Sequence, residues 1–136
     1  MKVLFDTNVV LDVVLDRQPF RDVAAELLAR VERKELAGFV GATTITTFYY
    51  LVARASSQQV ARSAVRDLIG LFQVAPVDRE VLSLAAASSM KDFEDAVLCE
   101  AGALAGADAV VTRNPQDFQG SRLKVFSPQA LQTLLS

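Results

Sequence analysis

Short unbroken apolar runs alternate along the chain with longer stretches in which apolar residues recur at every third or fourth position. The runs predict buried strands, and the recurrent stretches predict helices with one face turned inward. Strands are expected at Lys2 to Phe5, Gly38 to Ala42, Phe72 to Val77, the sequence D-A-V-V-T from Asp108 and the sequence L-K-V-F from Leu123. Between the first two, Asn8 to Leu15 reads as a helix, and Pro19 opens a second that runs to about Leu36, with Val23, Leu27, Leu28, Val31 and Leu36 on one side. Thr43 to Ala55 predicts a third helix, and Val60, Ala64, Val65, Leu68 and Leu71 mark a fourth. Asp78 is placed to cap a helix reaching about Ala87, another starts at Asp92 and ends near Gly106, and Ser127-Pro128 opens the last.

Strands separated by helices of this length are successive βαβ units, whose parallel sheet is covered by helices on both faces. The predicted fold class is α/β: a three-layer α/β/α arrangement around a mostly parallel central sheet. At 136 residues the chain supports one core, so residues 1–136 are expected to form a single domain.

One position breaks the pattern. The sequence V-L-F-D-T-N-V-V-L-D, from Val3 to Asp12, stops an apolar strand on a carboxylate, passes through a hydroxyl and an amide, and turns apolar again. A buried carboxylate costs several kcal/mol unless something answers its charge, so Asp6 needs a hydrogen-bond donor, a proton or a cation.

Composition narrows the chemistry. The chain has one cysteine and no histidine, which removes disulfide frameworks, structural zinc sites, Ser-His and Cys-His relays and a histidine base. No Gly-rich phosphate loop is present. Any catalysis therefore falls to carboxylates. No stretch has the length of a membrane span or the form of a signal peptide, so a cytoplasmic protein without membrane association is expected. With 14 basic and 16 acidic residues the net charge is -2, which argues against non-specific coating of nucleic acid. A local basic rim is still available from Arg17, Arg21, Arg54, Arg62, Arg66 and Arg113, residues that equally fit solvated helix faces.

In open parallel sheets, functional groups gather outside the carboxyl ends of the strands. F-D-T-N ends the first strand there, T-R-N-P-Q-D-F ends the fourth, and K-D-F-E-D-A begins the helix leading into that fourth strand. Asp92 and Asp95 are three residues apart, which places both on one side of a helical first turn. Two readings of that pair stand: a capping arrangement that needs no metal, or half of a carboxylate cluster completed by Asp6 and Asp117. A pocket of three or four carboxylates, with neutral oxygens from Asn8 and Thr112, is a hard-oxygen site suited to Mg2+ or Mn2+. Its natural task is the activation of water against a phosphodiester.

With V-L-F-D-T-N-V-V-L-D-V-V-L-D-R at the start, K-D-F-E-D-A-V-L-C-E-A-G-A-L-A-G-A-D-A-V-V-T-R-N-P-Q-D-F late in the chain and V-F-S-P-Q-A-L near its end, the sequence resembles the PIN-domain family. The likeness is greatest to the branch that includes VapC-type toxin ribonucleases. The resemblance implies a Mg2+- or Mn2+-dependent endoribonuclease, the toxin of a bacterial toxin-antitoxin pair. Its implied partners are an RNA substrate and an antitoxin protein; the aromatic stretch Phe48, Tyr49 and Tyr50 adds the expectation of a homodimer. It also implies roles: Asp6 and Asp95 as metal ligands, Asp92 and Asp117 completing the catalytic set, and Asn8, Thr112 and Asn114 in support. One departure stands out. Where many relatives carry a glutamate in the helix after the second strand, this chain has T-T-I-T-T-F-Y-Y-L, with Thr47 nearest and no acid between Glu35 and Asp67. That absence leaves a second expectation open: a catalytically weak PIN-like module that binds RNA or a protein.

Overall fold

The structure, a computed structural model, describes residues 1–136. Five strands, β1 (Lys2–Phe5), β2 (Ala37–Gly41), β3 (Gln73–Ala75), β4 (Ala109–Val111) and β5 (Lys124–Phe126), form one parallel sheet in the order β3-β2-β1-β4-β5. Seven helices cover it: α1 (Thr7–Val14), α2 (Arg21–Glu32), α3 (Ala42–Ala55), α4 (Gln58–Leu71), α5 (Arg79–Ala86), α6 (Phe93–Ala105) and α7 (Pro128–Leu135). The expected three-layer α/β/α fold with a parallel sheet is what forms. None of the helices is long and apolar enough to cross a membrane.

Strand alternation divides the interior into two cores. Val3 and Phe5 of β1, Val40 of β2 and Val111 of β4 point to one face, where they meet Val9, Val10, Leu27, Phe48, Leu68 and Leu131 from the helices. Leu4, Phe39 and Val110 point to the other and meet α5 and α6 through Val81, Ala85, Val97 and Ala101. Gly102 sits in α6 where a Cβ would lie 2.8 Å from Leu4 Cδ2, so the absence of a side chain sets how closely α6 approaches the sheet.

Three boundaries differ from expectation, each for a local reason. The second helix starts at Arg21, not Pro19, and stops at Glu32, because Lys34 adopts a left-handed conformation (φ +61°) and turns the chain; Leu36 then enters the core from the connection. The third strand spans only Gln73–Ala75, since Pro76 has no N–H for the ladder. Phe72 precedes it as the C-cap of α4, its ring edge-on to Phe5 with centroids 5.0 Å apart. The turn after β4 is a single 3-10 helix, Pro115–Phe118.

The strand order reverses direction between β1 and β4. From β1 the chain steps outward to β2 and β3, then returns to place β4 and β5 on the other side. The carboxyl ends of β1 and β4 therefore flank the switch point, where open parallel sheets hold their ligands. Phe5 pairs with Val111 across these strands, so the next residues, Asp6 and Thr112, emerge side by side.

Candidate active site

Asp6 is 8% exposed and is held from three directions. Its amide donates to the Val111 carbonyl at 3.0 Å, which extends the β1–β4 ladder by one residue. The Thr112 hydroxyl donates to Oδ2 at 2.8 Å, and the Thr7 amide donates to Oδ1 at 2.8 Å. Asp6 is thus the N-cap of α1. Burial pushes its carboxyl above the usual range, against the pull of those hydrogen bonds and of the Arg113 charge.

Asp92 N-caps α6, its Oδ1 accepting from the Asp95 amide at 2.9 Å. The cap points Asp95 into the cleft beside β1. Burial pushes the Asp95 carboxyl up to about 7, reinforced in order by the charges of Asp6, Asp92, Asp117 and Glu94. Asp6, Asp92 and Asp117 are thus near enough to Asp95 for their charges to act on it. No Lys or Arg forms an ion pair with any of them; every salt bridge in the molecule goes to Asp12, Asp16, Asp22, Glu35 or Glu100.

Asp95 lines two hollows. One, of about 270 Å³, runs from Asp6 past Thr43, Thr44, Thr46 and Thr47 at the start of α3 to Phe93 and Leu98. The other is wholly polar and runs from Asp92 to Gln116, Asp117 and Gln119. Thr47, the residue nearest the expected glutamate, lines the same hollow as Asp6 and Asp95. A hydroxyl contact of 2.8 Å between Thr7 and Thr44 holds the start of α3 against that of α1.

The supporting residues divide. Thr112 does double duty, donating to Asp6 and accepting the Asn114 amide at 3.2 Å. Asn114 contributes through this backbone bond, and its side chain caps nothing. The Asn8 amide oxygen is turned to Arg17, from which it accepts at 3.2 Å, and not to the acids.

Sequence reasoning missed Asp12, which is 1% exposed at the centre of α1. Its Oδ1 lies 2.8 Å from Arg113 Nη2 and 2.9 Å from Arg17 Nε, and the Arg113 guanidinium rests on the Phe20 ring, 4.1 Å from its centroid. This buried knot clamps the loop after β4, and with it Thr112, against α1. The available signal was a second carboxylate inside an apolar stretch, the same anomaly that marks Asp6. Glu100, buried on α6 and paired with Arg122, was also missed. Cys99 is no nucleophile: burial pushes its thiol up to about 12.

The donors at this edge of the sheet are carboxylate oxygens, the kind that a hard divalent cation takes. Arg113 acts on Asp6 through its charge, and Lys91 lines the hollow with Asp92, Asp95 and Asp117. No three acidic side chains are arranged as a ready cage.

Fold and site together define an α/β/α domain with a carboxylate cluster at the switch point of a parallel sheet. The chain belongs to the PIN-domain family: the sequence pattern of the PIN domain matches residues 2–116. Solved structures share the fold. VapBC2 from Rickettsia felis bound to a DNA fragment from their promoter aligns with a TM-score of 0.72 at 11% identity, covering 93% of this chain and 98% of that one. A toxin-antitoxin complex from Klebsiella pneumoniae aligns at 0.71 with 22% identity over 93% and 97%. VapBC-1 from nontypeable Haemophilus influenzae aligns at 0.70 with 15% identity over 95% and 99%. No curated protein sequence matches the chain significantly.

Proposed function

We propose that the protein is a Mg2+- or Mn2+-dependent endoribonuclease, the toxin of a toxin-antitoxin pair, acting in the cytoplasm as a homodimer that an antitoxin protein restrains. The observation that carries the hydrolytic reading is that Asp95, raised by the charges of Asp6, Asp92 and Asp117, lines one hollow with Asp6 and another with Asp92 and Asp117, and none of the four forms an ion pair. The toxin-antitoxin assemblies that share the fold support the biological context.

Asp6 and Asp95 would hold the ion, which when bound supplies an acidified water and neutralises charge on the phosphoryl oxygens. Asp6 is fixed for this by Thr112 and Thr7, so little ordering is required when a cation arrives. Asp95 would bind as the carboxylate, and a cation would relieve the burial and the neighbouring charges of Asp6, Asp92, Asp117 and Glu94 that raise its carboxyl in the free protein. Asp92 keeps α6 in register with the cleft by capping it, and Asp117 adds negative charge from the 3-10 turn.

Titration of Mn2+ by calorimetry, with cleavage of structured and unstructured RNAs in the presence and absence of chelator, tests the proposal. Wild type should bind the ion and cut in a chelator-sensitive manner, and Asp95→Asn should do neither. Thr47 in place of an acid favours the second reading, a PIN module that binds without cutting. Absence of both metal binding at millimolar Mn2+ and chelator-sensitive cleavage would establish that one.

A further inference from the structure

The six arginines expected to form a basic rim part company in the folded chain. Arg17 and Arg113 share the single charge of Asp12, and Arg21 pairs with Asp16 and Asp22. Arg54, Arg62 and Arg66 pair with no acid, and all three lie on the hairpin of α3 and α4. That hairpin holds a single acid, Asp67, and so carries a local charge of +2 in a chain whose net charge is -2. The acid-free stretch that deprives the cleft of a carboxylate also builds this positive surface.

Its position matters as much as its sign. Arg62 and Arg66 are one turn apart on the exposed face of α4, about 6 Å between their Cβ atoms by helix geometry. With Ile45, Thr46, Tyr49 and Val65 they line a groove of about 390 Å³. Thr46 also lines the hollow that holds Asp6 and Asp95, so the two hollows lie on either side of one threonine. The Arg62 guanidinium lies 5.9 Å from the Tyr49 ring centroid, a cation-π contact that holds it over the groove without neutralising it.

We infer that Arg62 and Arg66 grip successive phosphates of a single RNA strand, leading it along the α3–α4 groove past Thr46 into the acidic cleft. This rests on the hydrolytic reading of that cleft and adds the path by which substrate reaches it. A polyanion is repelled by four unpaired carboxylates, so productive binding needs cations outside the cleft and within a nucleotide or two of it. Of the molecule's arginines, these two combine an uncompensated charge with a groove bordering the site. Tyr49 and Ile45 offer flat apolar surface against which an unstacked base rests, as single-strand binding requires.

The test uses a fluorescein-labelled 12-nucleotide RNA without secondary structure, titrated with full-length protein in EDTA so that no cleavage occurs, and read by anisotropy from 50 to 200 mM salt. Arg62→Gln/Arg66→Gln should weaken binding roughly tenfold or more at the lowest salt. It should also flatten the slope of log affinity against log salt by about 1.4, near 0.7 for each phosphate that an arginine no longer neutralises on a single strand. Lys124→Gln, at the start of β5 and the opposite end of the sheet, should match wild type. Both are exposed polar substitutions, and circular dichroism confirms that each variant is folded. Unchanged affinity and slope in the double variant overturn the proposal, as does failure of wild type to bind. Dissociation of a dimer by the double variant, seen in sedimentation with RNA binding intact, overturns it in favour of a protein interface. Weakened binding in EDTA beside absent cleavage in Mn2+ upholds the groove and removes the hydrolytic reading; cleavage beside unaltered binding does the reverse.

Discussion

Replacing Asp95 by asparagine should stabilise the metal-free protein at pH 8, because the wild-type carboxylate is held there against the preference of its surroundings. Its carboxyl sits at about 7 where an ordinary aspartate sits at 3.8, and burial and four neighbouring acids all push in that direction. A gap of about three units corresponds to roughly 4 kcal/mol at 1.36 kcal/mol per unit. Asp95 is only half-buried, and solvent screening reduces this to about 1–2 kcal/mol. Attraction of the carboxylate to the start of α6 returns a few tenths of a kcal/mol, since Asp95 lies in the first turn.

The sign fixes the pH window. Between 3.8 and about 7 the folded chain keeps a proton that the unfolded chain has released, so stability falls as pH rises through that range. The penalty is complete above pH 7 and absent below the unfolded value. Thermal unfolding followed by circular dichroism in EDTA should therefore show Asp95→Asn melting roughly 3–8 °C above wild type at pH 8, with the difference shrinking towards pH 4.5. Millimolar Mn2+ should raise the wild-type midpoint by preferential binding to the folded state and leave the variant unmoved. A variant that melts at or below wild type at pH 8 would falsify the claim that these carboxylates repel one another.

Three further substitutions probe the same arrangement. Thr112→Val removes the donor to Asp6 and the acceptor for Asn114, and should cost about 1.5–3 kcal/mol in urea denaturation as well as Mn2+ affinity; Thr112→Ser should restore both, and an unchanged midpoint in the valine variant would detach Thr112 from the site. Asp12→Asn leaves Arg17 and Arg113 without their shared partner and should cost about 3 kcal/mol, at the low end for a broken buried pair because both arginines keep some solvent; a loss under about 1 kcal/mol would show that the knot is not structural. Thr47→Glu adds a carboxylate to the cleft and should tighten Mn2+ roughly tenfold by calorimetry while lowering the metal-free melting temperature. Equal affinity would place residue 47 out of reach of the ion.

Most of the fold was legible from local pattern. Apolar spacing locates every strand and helix to within a few residues, and the exceptions come from single residues: the left-handed Lys34 that ends α2 early and Pro76 that shortens β3. The acidic site was legible in part for the same reason. A charge ending an apolar strand and a D-x-x-D at a helix start are local features, and strand alternation with helices brings them to one edge of the sheet.

What the chain by itself determined is thus its α/β order, the strand-end position of Asp6, the capping of α6 by Asp92 and the lack of any acid between Glu35 and Asp67. Tertiary structure alone decided how each charge is answered. Thr112 reaches Asp6 across 106 residues, and Arg113 reaches Asp12 across 101. The Asn8 side chain goes to Arg17 instead of the acids, and six arginines that look alike in sequence become three that are ion-paired and three that are not. The physical reason is range: helix and strand periodicity is set by neighbours a few residues away, whereas the partner of a charge is whichever group folding brings within about 4 Å of it.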